Sequence, residues 1–158
     1  MKNFQNKAKI IKVSEALRII LFFGFTGWIF TFFSCLSPWF FVFPKMQHLY
    51  PIQAYVWSGV IMQPIFGFVV NLKLFQFFGR LKNGGLFDAQ TVGYLSAAGK
   101  WWMGYWIYQT LFLGIRTLFF RVAMNWDFAC LFGALTLIFV AWFFKEAQEL
   151  QEEQELTV

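Results

Sequence analysis

Ile19-Ile20-Leu21-Phe22-Phe23-Gly24-Phe25-Thr26-Gly27-Trp28-Ile29-Phe30-Thr31-Phe32-Phe33-Ser34-Cys35-Leu36-Ser37-Pro38-Trp39-Phe40-Phe41-Val42-Phe43-Pro44 is a run of 26 residues without a formal charge. A second such run, Met46 to Leu72, has 27 residues. At about 1.5 Å per helical residue, either run exceeds the roughly 30 Å of bilayer hydrocarbon. The surrounding chain is of the same kind. Of its 158 residues 59% are hydrophobic and 13% charged, with 24 Phe and 8 Trp, against about 25% charged in an ordinary soluble domain. A soluble enzyme, a disordered segment and a disulfide scaffold are all excluded. The fold class expected is all-α: a polytopic membrane bundle of four transmembrane helices with an acidic cytoplasmic helix extension. It reads as one membrane domain over 1–158, with spans near 17–43, 52–78, 94–118 and 128–144 and a tail over 145–158.

Charge orients the spans. Lys2, Lys7, Lys9, Lys12 and Arg18 precede the first run, Lys73, Arg80, Lys82 and Lys100 surround the break between spans two and three, and Lys145 follows span four. With both termini inside, these ten face the cytoplasm and only Lys45, Arg116 and Arg121 face out, as the positive-inside rule requires. The expected location is the bacterial inner membrane, multi-pass, with cytoplasmic termini. The first run is too long for a cleaved signal core of about 7–15 residues and reads as an uncleaved anchor. Charge so distributed serves topology and anionic lipid, so no direct binding of nucleic acid is expected. Residues 1–18 read as an interfacial helix, with Ile10, Ile11, Val13 and Leu17 between the bases. The topology sets Trp39, Trp57 and Trp126 near the outer interface and Trp101, Trp102 and Trp142 near the inner one.

Local signals refine the outline. Pro64 lies inside span two and removes a backbone donor there. Gly84-Gly85 make a turn, and Asp88 is placed to cap a helix beginning at Ala89. Cys35 and Cys130 fall in the outer halves of spans one and four, either as buried thiols or as a disulfide. Ala129 and Gly133 form a small-xxx-small pair that serves packing inside the bundle or a homodimer seam.

No catalytic constellation is legible. There is one histidine, His48, and the acids outside the tail, Glu15, Asp88 and Asp127, are scattered. The expectation is no enzyme, no metal and no cofactor. Within the spans Gln63, Tyr105, Tyr108, Gln109 and Arg116 are the notable polar groups. The last four share a face of helix three, as an interhelical hydrogen-bond seam, a small-ligand or lipid pocket, or an ion path. After Lys145, Glu146, Glu149, Glu152, Glu153 and Glu155 fill a strongly helix-forming stretch that closes on Leu156-Thr157-Val158, either a solvated helix end or a docking surface.

Two stretches resemble a known bacterial family. Leu81-Lys82-Asn83-Gly84-Gly85-Leu86-Phe87-Asp88, followed by Val92, Leu95 and Gly99, is similar to its middle signature, and Glu146 through Leu156-Thr157-Val158 to its acidic C-terminal one. The family is the small four-span membrane proteins called domain of unknown function 2975. This chain departs from it in its Phe and Trp content and in Asp88, where a hydroxyl residue is more usual. Members are commonly encoded beside a small helix-turn-helix DNA-binding regulator. The resemblance therefore implies a membrane sensor that holds or releases such a regulator, and it brings no catalytic residues. The partner-binding residues expected on this reading are Arg80, Lys82, Asp88, Glu146, Glu149, Glu152, Glu153, Leu156, Thr157 and Val158. The alternatives are a small transporter or channel, an accessory subunit of a larger membrane complex, a homo-oligomer, or a lipid-facing packing subunit.

Overall fold

The structure, a computed structural model, describes residues 2–41, 50–83, 88–120 and 128–156, with side chains described for 8–34, 61–83, 88–115, 117–118, 128–150 and 153. These residues form four helices, α1 (Lys2–Phe41), α2 (Tyr50–Lys82), α3 (Ala89–Phe120) and α4 (Phe128–Leu156). No interruption separates the basic start of α1 from its apolar part, so the expected interfacial segment is the first stretch of one helix. Pro64 does not end α2; it is almost fully buried, and the helix continues to Lys82. Asp88 caps α3 as its spacing predicts: its Oδ1 accepts from Gln90 N at 3.4 Å and its carbonyl from Val92 N at 3.1 Å.

Among the described residues, three stretches are long and apolar enough to cross a membrane: Ala8–Ser34, Ile61–Lys82 and Phe128–Leu150. The third helix does not join them, for reasons its composition makes plain. Lys100, Gln109 and Arg116 interrupt it, and Trp101, Trp102, Tyr105, Trp106 and Tyr108 are rings with polar tips rather than aliphatic chains. The outside of the molecule is nevertheless greasy. Phe22, Phe23, Phe30 and Phe33 on α1 and Phe132, Phe139 and Phe143 on α4 are exposed, a surface suited to lipid and too apolar for water. Hydroxyls on these exposed faces bond back to their own helix. Thr26 donates to Phe23 O, Thr31 to Gly27 O and Thr136 to Phe132 O, at 2.7–2.9 Å, as a face without water demands.

Each helix packs on the next in sequence, α1 on α2, α2 on α3 and α3 on α4, while α1 and α4 scarcely meet. The buried core is small and lies towards one end, where Phe77 and Leu81 of α2 meet Leu95 of α3 and Ala141 of α4. Between α1 and α2, Phe25 packs edge-on to Phe68 and Phe75, with ring centroids 5.1 and 5.7 Å apart. Asn71 lies in the same contact, 5% exposed, and its Nδ2 donates to Leu21 O of α1 at 3.0 Å. An interhelical bond of this kind is worth about 0.6–2 kcal/mol in a membrane protein. Asn71→Leu, which keeps the branching at Cγ and removes the donor, is expected to lower unfolding stability in detergent by at least that amount; an unchanged denaturation midpoint would remove Asn71 from the account of α1 docking.

The α3–α4 register is fixed by small residues. Gly99 abuts Leu137 and Ile138, Gly133 abuts the Trp102 ring, and Trp102 Nε1 donates to Cys130 Sγ at 2.9 Å. Cys130 is buried, and the side chain of Cys35 lies outside the described residues. Trp102 and Cys130 are therefore at one depth, so the sequence expectation that set one near the inner interface and the other in the outer half of its span cannot hold for both. Hydropathy assigns depth helix by helix and is blind to stagger. Of the small residues on α4, Cys130 and Ala134 are buried and Gly133 faces Trp102, whereas Ala129 is exposed. Packing inside the bundle accounts for that face.

Candidate functional site

Charged residues from three helices converge at the end of the bundle where α2 stops and α3 begins. Lys82 Nζ lies 2.7 Å from Glu15 Oε1 and ties α1 to α2. Arg80 lies 3.9 Å from Asp88 Oδ2 and donates to the side-chain oxygen of Gln90. The first pair is about half exposed, and its Coulomb attraction is screened accordingly. Arg80, Lys82 and Asp88, expected as partner-binding residues, are thus brought together, and Glu15 joins them.

The register carries α4 to the same end. Leu95 packs with Ala141, and Gly99 with Ile138; continued to Asp88, this pairing reaches about Gln148 on an antiparallel neighbour with equal rise. From Glu149 to Leu156 the helix extends roughly 10–12 Å past the cap of α3. Glu146, Glu149 and Glu153 are exposed there, and Lys145 pairs with Glu149 at 3.4 Å along the helix. The side chains of Glu152 and Leu156, and all of Thr157 and Val158, lie outside the described residues. By the same reasoning the segment of α1 before Glu15, with Lys2, Lys7, Lys9 and Lys12, projects beyond Lys82. One end of the molecule therefore presents two helix ends of opposite charge.

Deeper in the bundle a cavity of about 360 Å³ opens between α1, α2 and α3. Gln63, Gly67, Asn71, Trp28, Trp102 and Tyr105 are among its walls, and almost all its surface is apolar. Of the polar residues expected to share a seam, Tyr105 and Tyr108 both pack around Phe66 of α2, with ring centroids 5.6 and 6.0 Å away. Gln109 donates to the Tyr105 hydroxyl within α3, and Gln63 meets Tyr105 only as a fellow wall of the cavity. The Arg116 side chain lies outside the described residues.

Sequence reasoning gave too little weight to three groups here. Asn71 is the buried amide of the α1–α2 contact, although Gln63, beside the proline, looks the more telling. Trp28 fills the space above Gly67; a Gly–Trp pairing across helices has no signature in a single sequence. Arg18 looks like an ordinary topogenic base, yet its guanidinium lies 4.5 Å over the Phe75 ring. Among the described residues no three His, Cys, Asp or Glu side chains gather as a metal-holding group.

No family model, curated protein or solved structure matches the chain.

Proposed function

We propose that this chain is a non-enzymatic regulator of the bacterial inner membrane, crossing it four times with both termini in the cytoplasm and holding a soluble helix-turn-helix DNA-binding protein on its cytoplasmic face. The observation that carries the reading is the α3–α4 register, which projects the acidic end of α4 past a belt of charges from α1, α2 and the cap of α3. DNA-binding modules are basic, and five glutamates at the end of α4 offer them complementary charge. The likeness of Leu81–Asp88 and of the acidic tail to domain of unknown function 2975 supports the same partner. On this reading α3 is the fourth span despite its polar aromatics. Lys100 then reaches past Gly99 towards a headgroup, as long cationic side chains do.

Deleting residues 148–158 is the test. A chain tagged at its N-terminus and purified from native membranes after mild cross-linking is expected to carry a small basic DNA-binding protein, and the truncated chain to lose it. Retention of that protein after truncation would end the docking proposal for the tail.

A second reading, a small transporter or a ligand-binding subunit of a larger membrane complex, draws on the cavity between α1, α2 and α3. Its apolar walls suit a hydrophobic molecule better than an ion. The two readings combine if such a ligand favours one arrangement of the helices over another.

A further inference from the structure

On a different side of α2 from the apolar cavity, a second and more open pocket of about 260 Å³ lies at the charged end of the bundle. Arg18 of α1, Gln76, Gly79, Arg80 and Asn83 at the end of α2, and Tyr94 of α3 line it. Every polar side chain in that group carries a hydrogen-bond donor, two are guanidinium groups, and none is a carboxylate. Glu15 and Asp88, the nearby acids, engage Lys82 and Arg80 from outside the lining.

Arg18 is the telling member. Its guanidinium is held in place by the Phe75 ring at 4.5 Å and by Gly79, where an added Cβ would stand 3.6 Å from Arg18 Cζ. That distance is ordinary contact, so the guanidinium lies close against this turn of α2. In that position its Nε is shut off from solvent and has no acceptor among the described residues. A ligand would meet the parts of the guanidinium that line the opening, not Nε. Gln76 Oε1 accepts from Lys73 Nζ at 3.5 Å, which turns the remaining capacity of that amide towards donation. Two guanidiniums, two amides and a phenol around one opening form a receptor for an oxyanion with several acceptor oxygens. Guanidinium forks match phosphate in particular.

We propose that this pocket binds a phosphate group, either the head of an anionic phospholipid or free phosphate. Its level favours neither source by itself: Asn83 stands just past the end of α2, where headgroups and water are both within reach. Basic pockets between helices at this boundary are suited to lipid heads. The site shares Arg80 with the charge belt at this end, but its test does not use the α4 tail.

The experiment uses the full chain in a neutral detergent, with phosphatidylglycerol, phosphatidylcholine and inorganic phosphate as probes. Retained lipid is read by native mass spectrometry and phosphate by equilibrium dialysis. Saturable binding of phosphatidylglycerol over phosphatidylcholine, unmoved by millimolar phosphate, identifies a lipid head. Direct phosphate binding that displaces phosphatidylglycerol identifies the free anion. In either case Arg18→Gln is expected to weaken binding about tenfold, the worth of one charge-assisted hydrogen bond. Asn83→Asp, which sets a carboxylate at an exposed wall and keeps the backbone bond from residue 83 to Arg80 O, is expected to do the same and covers the case of a misfolded Arg18 variant. Absence of binding by all probes, or equal binding by wild type and the Asn83→Asp chain, would overturn the proposal.

Discussion

Gly99→Leu is expected to separate α3 from α4 and to produce one of the two largest losses of stability from a single substitution in this chain. A Cβ at residue 99 would stand 2.7 Å from Ile138 Cγ1 and 3.0 Å from the Ile138 backbone nitrogen. The side-chain atom can rotate away, but the backbone nitrogen belongs to α4 itself, so relief requires the helices to move apart. The contact they would give up includes Leu95 against Ala141 and the Trp102 bond to Cys130. Overpacking of this kind costs about 1–3 kcal/mol, before any loss from the neighbouring contacts. Gly93→Ala is the control, because nothing lies within 4 Å of a Cβ there. Removing a helical glycine should add about 0.5–1 kcal/mol. Denaturation in detergent followed by circular dichroism reads both. Opposite shifts are expected, and equal ones would mean that α3 and α4 do not meet at Gly99.

Gly67→Leu should act comparably on the other side of the bundle. The Trp28 indole occupies the space a side chain at residue 67 would need, with three ring atoms inside contact distance. Here the obstacle is a rigid ring whose displacement disturbs the α1–α2 contact and one wall of the cavity. The expected cost is again about 1–3 kcal/mol. It comes with a shift in tryptophan emission that Gly67→Leu loses when made in a Trp28→Phe background. An emission shift that persists without Trp28 would contradict the placement of the ring. Bulk at Gly67 also narrows the cavity, so a hydrophobic ligand bound there would be displaced with it.

Most of the secondary structure was legible because it depends on neighbours in sequence. Uncharged runs mark α1 and α2, and the Asp88 cap locates the start of α3 at Ala89. The acidic stretch after Lys145 is helical through Leu156 for reasons of local propensity. The candidate site was legible in part. Arg80, Lys82 and Asp88 meet because a short connection joins α2 to α3, whereas the Glu15–Lys82 pair spans 67 residues and no spacing rule reaches it. Tyr105 and Gln109 pair because four residues make a helical turn. The side to which they turn, around Phe66, depends on a different helix.

Composition and charge order by themselves determined that this is a helical membrane protein, because a bilayer accepts apolar helices whose backbone groups are bonded internally. Among the described residues, three of the four helices meet that requirement by length and apolarity. Only the tertiary structure decided the stagger of α3 against α4, the burial of Asn71, the cavity beside Trp28 and the pocket around Arg18. The stagger, the place of Asn71 and the cavity depend on where a missing side chain at Gly99, Gly24 or Gly67 lets another helix approach. The vacancy exists in one segment and the group that fills it in another, so neither is visible until the helices are packed.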